Sequence, residues 1–122
     1  MLYETEIKVL EILWYEGFIT AKDLAIRLEE SIGWKQSTSY TVINRCVKKG
    51  LIERMGTNFT CKALITKEEA QKQEIELLTN KMFNGASDLL VASILGSSKM
   101  TTLQMDQLRN MLQEKQQEFM AE

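Results

Sequence analysis

Histidine is absent from the 122 residues of this sequence, and its absence excludes much of the chemistry that a small protein can perform. Histidine is the commonest general base in enzymes, and it activates most serine and cysteine nucleophiles. The usual zinc sites also cannot be built without it when cysteines are few. We therefore predict that the protein is not an enzyme, that it holds no metal and that it needs no cofactor.

Cysteines and long apolar runs are also scarce. Cys46 and Cys61 are too few and too far apart in the sequence to suggest a disulfide framework. No segment approaches the roughly 20 apolar residues that a membrane-spanning helix requires. The first residues mix Glu and Lys with apolar residues, unlike a secretory leader. The sequence therefore predicts a cytoplasmic protein without a membrane partner.

Proline is absent too, so helix boundaries must be read from glycines and capping residues. Apolar spacing and caps predict three helices, at about residues 4–15, 20–33 and 36–49. Two short extended runs, 51–55 and 59–65, follow them, and the turn formers between these runs suit a β-hairpin. Three helices followed by a hairpin is the order of elements in a winged helix-turn-helix domain.

The rest of the sequence predicts three more helices. Capping boxes at Thr66 and Thr101 begin two of them, and Ser87 is expected to cap a short apolar helix, DLLVASIL, between the two. We predict a mainly α fold with a small β-hairpin wing (α+β). A winged helix-turn-helix DNA-binding domain in residues 1–66 is followed by a helical dimerisation domain in residues 67–122.

Charge is divided unevenly along a chain whose net charge is only −2. Between residues 35 and 62 the single acid is Glu53, whereas acids outnumber cations from residue 66 onward. A local basic region in an acidic protein is typical of a surface that binds a polyanion. The cations of this region are Lys35, Arg45, Lys48, Lys49, Arg54 and Lys62.

The third helix has two different faces when its residues are placed at 100° intervals. One face carries Val42, Ile43 and Cys46, so Cys46 is expected to be a small buried hydrophobe. The opposite face carries hydroxyl, amide and cationic groups and no acid, a composition that suits the base edges of a DNA major groove. We predict base contacts by Ser37, Thr38, Tyr40, Thr41 and Asn44, and DNA-backbone contacts by Lys35, Arg45, Lys48, Lys49, Arg54 and Lys62.

The segment after residue 66 carries more apolar surface than a small domain can cover. The DLLVASIL helix is apolar on nearly all sides, and the last helix has a stripe of Leu and Met. A second copy of the chain could cover both, which predicts a homodimer. The residues assigned to dimerisation are Leu89, Leu90, Ile94, Leu103, Leu108, Met111 and Leu112.

Several separated segments resemble one known family in order and spacing. The run GWKQSTSYTVINRCVKKGLIER resembles the recognition helix of the BlaI/MecI penicillinase-repressor family of winged-helix regulators, and ETEIKVLEILW resembles its first helix. The tail, NKMFNGASDLLVASILG followed by QMDQLRNML, resembles the dimerisation region of that family. The resemblance implies a homodimeric bacterial repressor that binds a two-fold symmetric operator on double-stranded DNA and blocks transcription.

The same resemblance implies a mode of release. Family members that respond to antibiotics are inactivated by a regulatory protease, which cleaves an Asn-Phe bond in the short helix of the C-terminal part. The matching place here reads Ala92-Ser93-Ile94, so the corresponding bond joins Ser93 to Ile94. Because this pair differs from Asn-Phe, proteolytic release and release by another signal both stay open.

Two alternatives from other classes also fit the sequence. A winged-helix module could present the third helix to an acidic protein instead of DNA. Salt-dependent binding to duplex DNA would distinguish a DNA-binding protein from such a protein-interaction module. A one-component sensor could hold a small apolar ligand near Met100, Met105 and Met111, although Met at helical spacing is more often core.

Overall fold

A computed structural model describes residues 1–97 and 99–121. The chain divides into two compact units, Met1–Leu78 and Thr79–Glu122, and each is described by itself below. The elements in chain order are α1 (Glu4–Glu16), β1 (Phe18–Thr20), α2 (Ala21–Ile32), α3 (Gln36–Lys48), β2 (Ile52–Met55), β3 (Thr60–Ala63), α4 (Lys67–Met82), α5 (Ser87–Ser97) and α6 (Thr102–Ala121).

The first unit has a winged helix-turn-helix architecture, as predicted. Helices α1, α2 and α3 pack around one apolar core, which the small sheet closes on one side. Each fully buried leucine in such a core contributes about 1.5–3 kcal/mol relative to exposure. Among the described residues, the largest fully buried apolar side chains are Val9, Leu10, Leu13, Leu24, Leu28, Ile43, Cys46, Ile52 and Cys61.

The predicted helix starts at three threonines are confirmed. The Thr20 hydroxyl oxygen accepts a hydrogen bond from the Asp23 amide at 3.1 Å, and Thr66 accepts one from the Glu69 amide at 3.0 Å. At Thr101 the capping box is reciprocal, because the Gln104 side chain also accepts from the Thr101 amide. Each such cap stabilises a helix by about 1 kcal/mol.

The sheet has three strands, one more than the predicted hairpin. Strand β1 pairs antiparallel with β3, which also pairs with β2, so the order is β1-β3-β2. Sequence reasoning treated residues 18–20 as a connection because three residues are too short to show strand periodicity. The hairpin strands themselves are Ile52–Met55 and Thr60–Ala63, shorter than the predicted runs.

The start of the short apolar helix was also predicted wrongly. Helix α5 begins at Ser87 itself, and the Ala86 carbonyl accepts hydrogen bonds from the amides of Leu89 and Leu90. Ser87 is therefore the first helical residue and does not cap the helix. The predicted boundary at residue 66, between a DNA-binding domain and a dimerisation domain, stays a prediction.

The second unit contains almost no core of its own. Within the described part of the chain, no residue of α5 or α6 is buried. The two helices form an open groove of about 500 Å³, and its apolar lining comes from Val91, Leu95, Met105, Leu108, Met111 and Leu112. None of the described helices is both long and apolar enough to cross a membrane.

Candidate nucleic-acid interface

Helix α3 has the two faces that its sequence predicts. Ser39, Val42, Ile43 and Cys46 are buried against the core. Tyr40 is half-buried and packs at the edge of that core. The opposite side is exposed and carries Ser37, Thr38, Thr41, Asn44 and Lys48.

The beginning of α3 is electrostatically different from that of other helices in the first unit. Acidic residues occupy the first turns of α1, α2 and α4, whereas α3 has none. Its N-cap residue is Lys35, which adds a positive charge. The positive end of the helix dipole is therefore not neutralised by an acid, which favours an anion at this end.

The Thr41 side chain is fixed by its own helix. Its hydroxyl donates a hydrogen bond to the Ser37 carbonyl at 2.9 Å. Because the hydroxyl proton is used in this bond, Thr41 can only accept hydrogen bonds from an outside partner, and its methyl group offers an apolar contact. A thymine methyl or a base amino group matches these properties.

Asn44 is connected to the wing, which the sequence did not predict. The Arg54 Nη1 atom in β2 donates a hydrogen bond to Asn44 Oδ1 at 2.6 Å. The Arg54 guanidinium also lies over the ring of Phe59, with Cζ 4.7 Å from the ring centroid. Asn44, which was predicted to contact bases, and Arg54, which was predicted to contact the DNA backbone, are thus in direct contact with each other.

Arg45 and Lys49 were predicted to bind phosphates, but here they bind a buried carboxylate. Glu6 of α1 is fully buried, and its Oε2 and Oε1 accept from Arg45 Nε at 3.1 Å and Lys49 Nζ at 2.7 Å. The Tyr3 amide donates a third bond to Glu6, and both cations lie over the Tyr3 ring. The charge count between residues 35 and 62 missed Glu6 because it lies elsewhere in the sequence.

The ionisation of Glu6 reflects these contacts. Burial alone would raise the pKa of the Glu6 carboxyl group. Hydrogen bonds from Lys49, the Tyr3 amide and Arg45, together with the charge of Lys49, outweigh burial and lower that pKa below its usual value. Glu6 is therefore ionised at neutral pH and neutralises part of the basic region.

Three other cations that were predicted to contact the DNA backbone have a charge that is more available to a phosphate. Within residues 1–97 and 99–121, neither Lys35 nor Lys48 forms an ion pair. Lys62 in β3 lies over the Phe18 ring, with Nζ 5.6 Å from the centroid. These three lysines are the stronger candidates for phosphate contacts.

Both cysteines are buried free thiols, and their environments oppose ionisation. Burial, together with the nearby charge of Glu6, raises the pKa of the Cys46 thiol to about 11. Burial also raises the pKa of Cys61. Thiolates are the reactive form, so neither thiol is activated in the folded protein.

We expect a thiol-specific reagent at pH 8 to modify the native protein slowly, because both thiols are buried and protonated. In guanidinium chloride both should react quickly, and absorbance of the released chromophore measures the two rates. Cys46→Ser and Cys61→Ser variants identify which thiol reacts. Rapid reaction of either thiol without denaturant would contradict this assignment.

Three of the seven residues predicted for dimerisation line the groove of the second unit. Leu108, Met111 and Leu112 line the α5–α6 groove, whereas Leu89, Leu90, Ile94 and Leu103 lie outside it. The predicted cleavage residues Ser93 and Ile94 are both exposed on α5. The Ser93 carbonyl accepts a hydrogen bond from the Ser97 hydroxyl at 2.7 Å.

Comparison with known proteins places these features in a family. The family model of the penicillinase repressor matches residues 2–114. The chain belongs to the penicillinase repressor family. Members of this family are transcriptional regulators and not enzymes, which confirms the corresponding predictions.

Individual relatives agree over most of their length. The chain is 25% identical over 112 residues to the methicillin resistance regulatory protein MecI of Staphylococcus aureus (strain N315), covering 90% of this chain and 91% of that protein. It is 20% identical over 113 residues to the penicillinase repressor of Bacillus licheniformis, covering 91% and 88%.

A solved structure confirms the fold of the first unit. The solution structure of the DNA-binding domain of the repressor BlaI superposes with a TM-score of 0.53 and 20% sequence identity. The match covers 57% of this chain and 87% of that one. At this identity the likeness concerns the winged-helix fold alone.

Proposed function

We propose that this protein is a transcriptional repressor that binds a two-fold symmetric operator as a homodimer, with α3 in the major groove. The observation that carries the proposal is the exposed, acid-free face of α3. This face offers Ser37, Thr38, Thr41 and Asn44 to base edges, while the core residues of the same helix hold it in place. An α-helix fits the major groove, where each base pair presents its own pattern of donors and acceptors.

Phosphate contacts are assigned to the cations around this face. Lys35 lies at the start of α3, Lys48 near its end and Lys62 on the wing. Each contact with a phosphate releases counterions, so these residues supply affinity that depends on salt and little on base sequence. Base contacts then supply the discrimination.

Dimerisation is supported by the second unit. Helices α5 and α6 expose an apolar groove and bury none of their described residues, an arrangement that a small unit does not sustain alone in water. A second copy of the chain is the proposed cover. Two recognition helices then meet half-sites about 34 Å apart, or a multiple of that distance.

Proteolytic release rests on the family resemblance. The Ser93–Ile94 bond lies inside α5, whose backbone is helical. A protease binds its substrate as an extended chain, so cleavage at this bond requires α5 to unwind locally. Proteolysis would then remove α6 from the DNA-binding unit and so separate the two halves of the dimer.

We expect Thr41→Ala and Lys48→Ala to have different effects on DNA binding. The binding partner in the assay is a duplex that the wild-type protein selects from a random pool, and its affinity is compared with that of random duplex at several salt concentrations. Thr41→Ala removes a base contact and should lower discrimination about tenfold, with little change on random DNA. Lys48→Ala should weaken binding to both and reduce the salt slope by about one.

Lys8→Ala is the matched control for the loss of a cation. Lys8 is exposed on α1 and lies about 200° around that helix from Glu6, which contacts α3. Its removal should leave discrimination and the salt slope nearly unchanged. If Thr41→Ala instead reduced binding to random and selected duplex equally, Thr41 would not read base sequence, and the assignment of α3 as the reading element would be contradicted.

A further inference from the structure

We propose that Arg54 of the wing is a specificity-determining residue, because it holds the Asn44 side chain in the orientation that presents the amide NH2 group to DNA. This inference rests on the proposed function, in which α3 lies in the major groove. It assigns to a wing residue a role in base selection, in place of a contact with phosphate alone.

Two contacts hold the Arg54 guanidinium. Its Nη1 atom lies 2.6 Å from Asn44 Oδ1, and its Cζ atom lies 4.7 Å from the centroid of the Phe59 ring. The backbone position is also determined, since Arg54 pairs with Cys61 in the β2–β3 ladder. Phe59 lies at the end of the wing turn with φ +50°, directly before β3.

Arg54 has no competing acid among the described residues. Its neighbour Glu53 points to the other face of the strand because side chains alternate along a strand. No ion pair involving Arg54 occurs in residues 1–97 and 99–121. The guanidinium is therefore partnered by a neutral amide oxygen and an aromatic ring, and a charge-assisted hydrogen bond of this kind is stronger than a neutral one.

The chemistry of the contact determines which end of the Asn44 amide is bound. Arginine has donors and no acceptor, so it can bind the Asn44 oxygen and cannot bind the NH2 group. An unconstrained asparagine offers both a donor and an acceptor, and for this reason it can recognise adenine through two hydrogen bonds. With a cation on Oδ1, the approach of a base amino group to that oxygen is disfavoured.

The expected preference follows from the groups that bases display in the major groove. Guanine presents O6 and N7 as acceptors, and thymine presents O4. Adenine presents an N7 acceptor beside an amino donor, and cytosine presents an amino donor, so each of them brings a donor toward the Asn44 oxygen that Arg54 already occupies. A donor-presenting Asn44 beside a guanidinium therefore selects a keto base, guanine or thymine, at the position that it contacts.

The test compares the base preferences of variants in selection from a pool of duplexes with randomised half-sites. Wild-type protein should select a keto base at one position in each half-site. Arg54→Met keeps the length of the side chain but removes the charge and the hydrogen bonds. It should shift that position toward adenine, with a change of about tenfold in the ratio of keto base to adenine.

Two further variants isolate the Arg54–Asn44 contact. In an Asn44→Ala background, Arg54→Met should no longer change the preference, since the two residues act through one contact. Lys62→Met removes another wing cation, and it should weaken binding to all duplexes while the preference stays unchanged. Thermal unfolding of each variant establishes that it is folded.

The outcomes separate this inference from the proposed function. Uniform weakening by Arg54→Met, with a salt slope lower by about one and no change in base preference, would make Arg54 a phosphate contact and overturn the inference alone. An effect of Arg54→Met that persists in full without the Asn44 side chain would also overturn it. Failure of the wild-type protein to select any sequence would overturn the proposed function itself.

Discussion

The Leu108→Asp variant should sediment as a monomer and bind its operator about 100- to 10,000-fold more weakly than the wild-type protein. Leu108 lies in the α5–α6 groove with Met105, Met111 and Leu112, and all four side chains are exposed in the single chain. In the proposed dimer a second copy covers this groove. An aspartate there must lose its water, and the two cations that line the groove already pair with acids of α6, so association becomes unfavourable.

The loss of operator affinity follows from the loss of the second half-site. Each half-site contact is weak alone, and joining two contacts in one dimer multiplies their effect through a high effective concentration. Random DNA should show a smaller loss, because each winged-helix unit keeps its own cations. The helix content of the first unit should also persist, since Leu108 lies in the second unit.

Gln117→Asp is the matched control for Leu108→Asp. Gln117 is exposed on α6 and lies about 180° around the helix from Leu108, so the same charge is added on the opposite side. This variant should remain a dimer in sedimentation velocity experiments. If Leu108→Asp and the wild-type protein dissociated from dimer to monomer at the same concentration in a dilution series, this groove would be excluded as the dimer interface.

The fold of the first unit could be predicted from the sequence because its boundaries carry local chemical signals. Thr20 and Thr66 cap helices through their own hydroxyl groups, and Gly33 ends α2 in a left-handed conformation with φ +74°. These signals act within one turn of helix, so they are readable without tertiary structure. Strand β1 depends instead on its pairing with β3, a contact between residues about 40 positions apart, and three residues carry no periodic pattern.

The exposed face of α3 could also be predicted from local signals, but the residues that pair with the cations of this helix could not. The faces of α3 follow from helical geometry alone, so the exposure of Thr41, Asn44 and Lys48 was correctly predicted. The contacts of Glu6 with Arg45 and Lys49 join residues about 40 positions apart. A count of charges in a sequence window cannot contain such pairs, and it therefore overestimates the positive charge that is free for DNA.

Replacing Glu6 by glutamine should reduce stability and increase non-specific DNA binding at the same time. Glutamine keeps the shape of the side chain and a carbonyl oxygen for the Tyr3 amide, but it loses the charge that attracts Arg45 and Lys49. Hydrogen bonds to charged groups contribute about 1.5–3 kcal/mol each, and both cations remain partly solvated, so we expect a loss of about that size in total. Urea denaturation at pH 7 measures the change in the free energy of unfolding.

The stability difference between wild-type protein and Glu6→Gln should depend on pH in a defined direction. The pKa of Glu6 is lower in the folded state than in the unfolded chain, where glutamate titrates near pH 4.3. The stabilising contribution of the carboxylate is therefore fully present above that pH, and it is lost as pH falls through the lowered pKa. The difference should be constant from pH 7 to about pH 5.5 and shrink below about pH 4.

Glu4→Gln is the control, since Glu4 is an exposed acid in the same turn of α1. It should change stability by less than about 1 kcal/mol.

In Glu6→Gln the released Arg45 and Lys49 can reach phosphates, so affinity for random duplex should rise and the salt slope should steepen by up to about two. Lower stability without any change in the salt slope would mean that these two cations do not face DNA. Glu6 would then serve the fold alone, whereas the expected result means that it limits non-specific binding by neutralising two cations of the recognition helix.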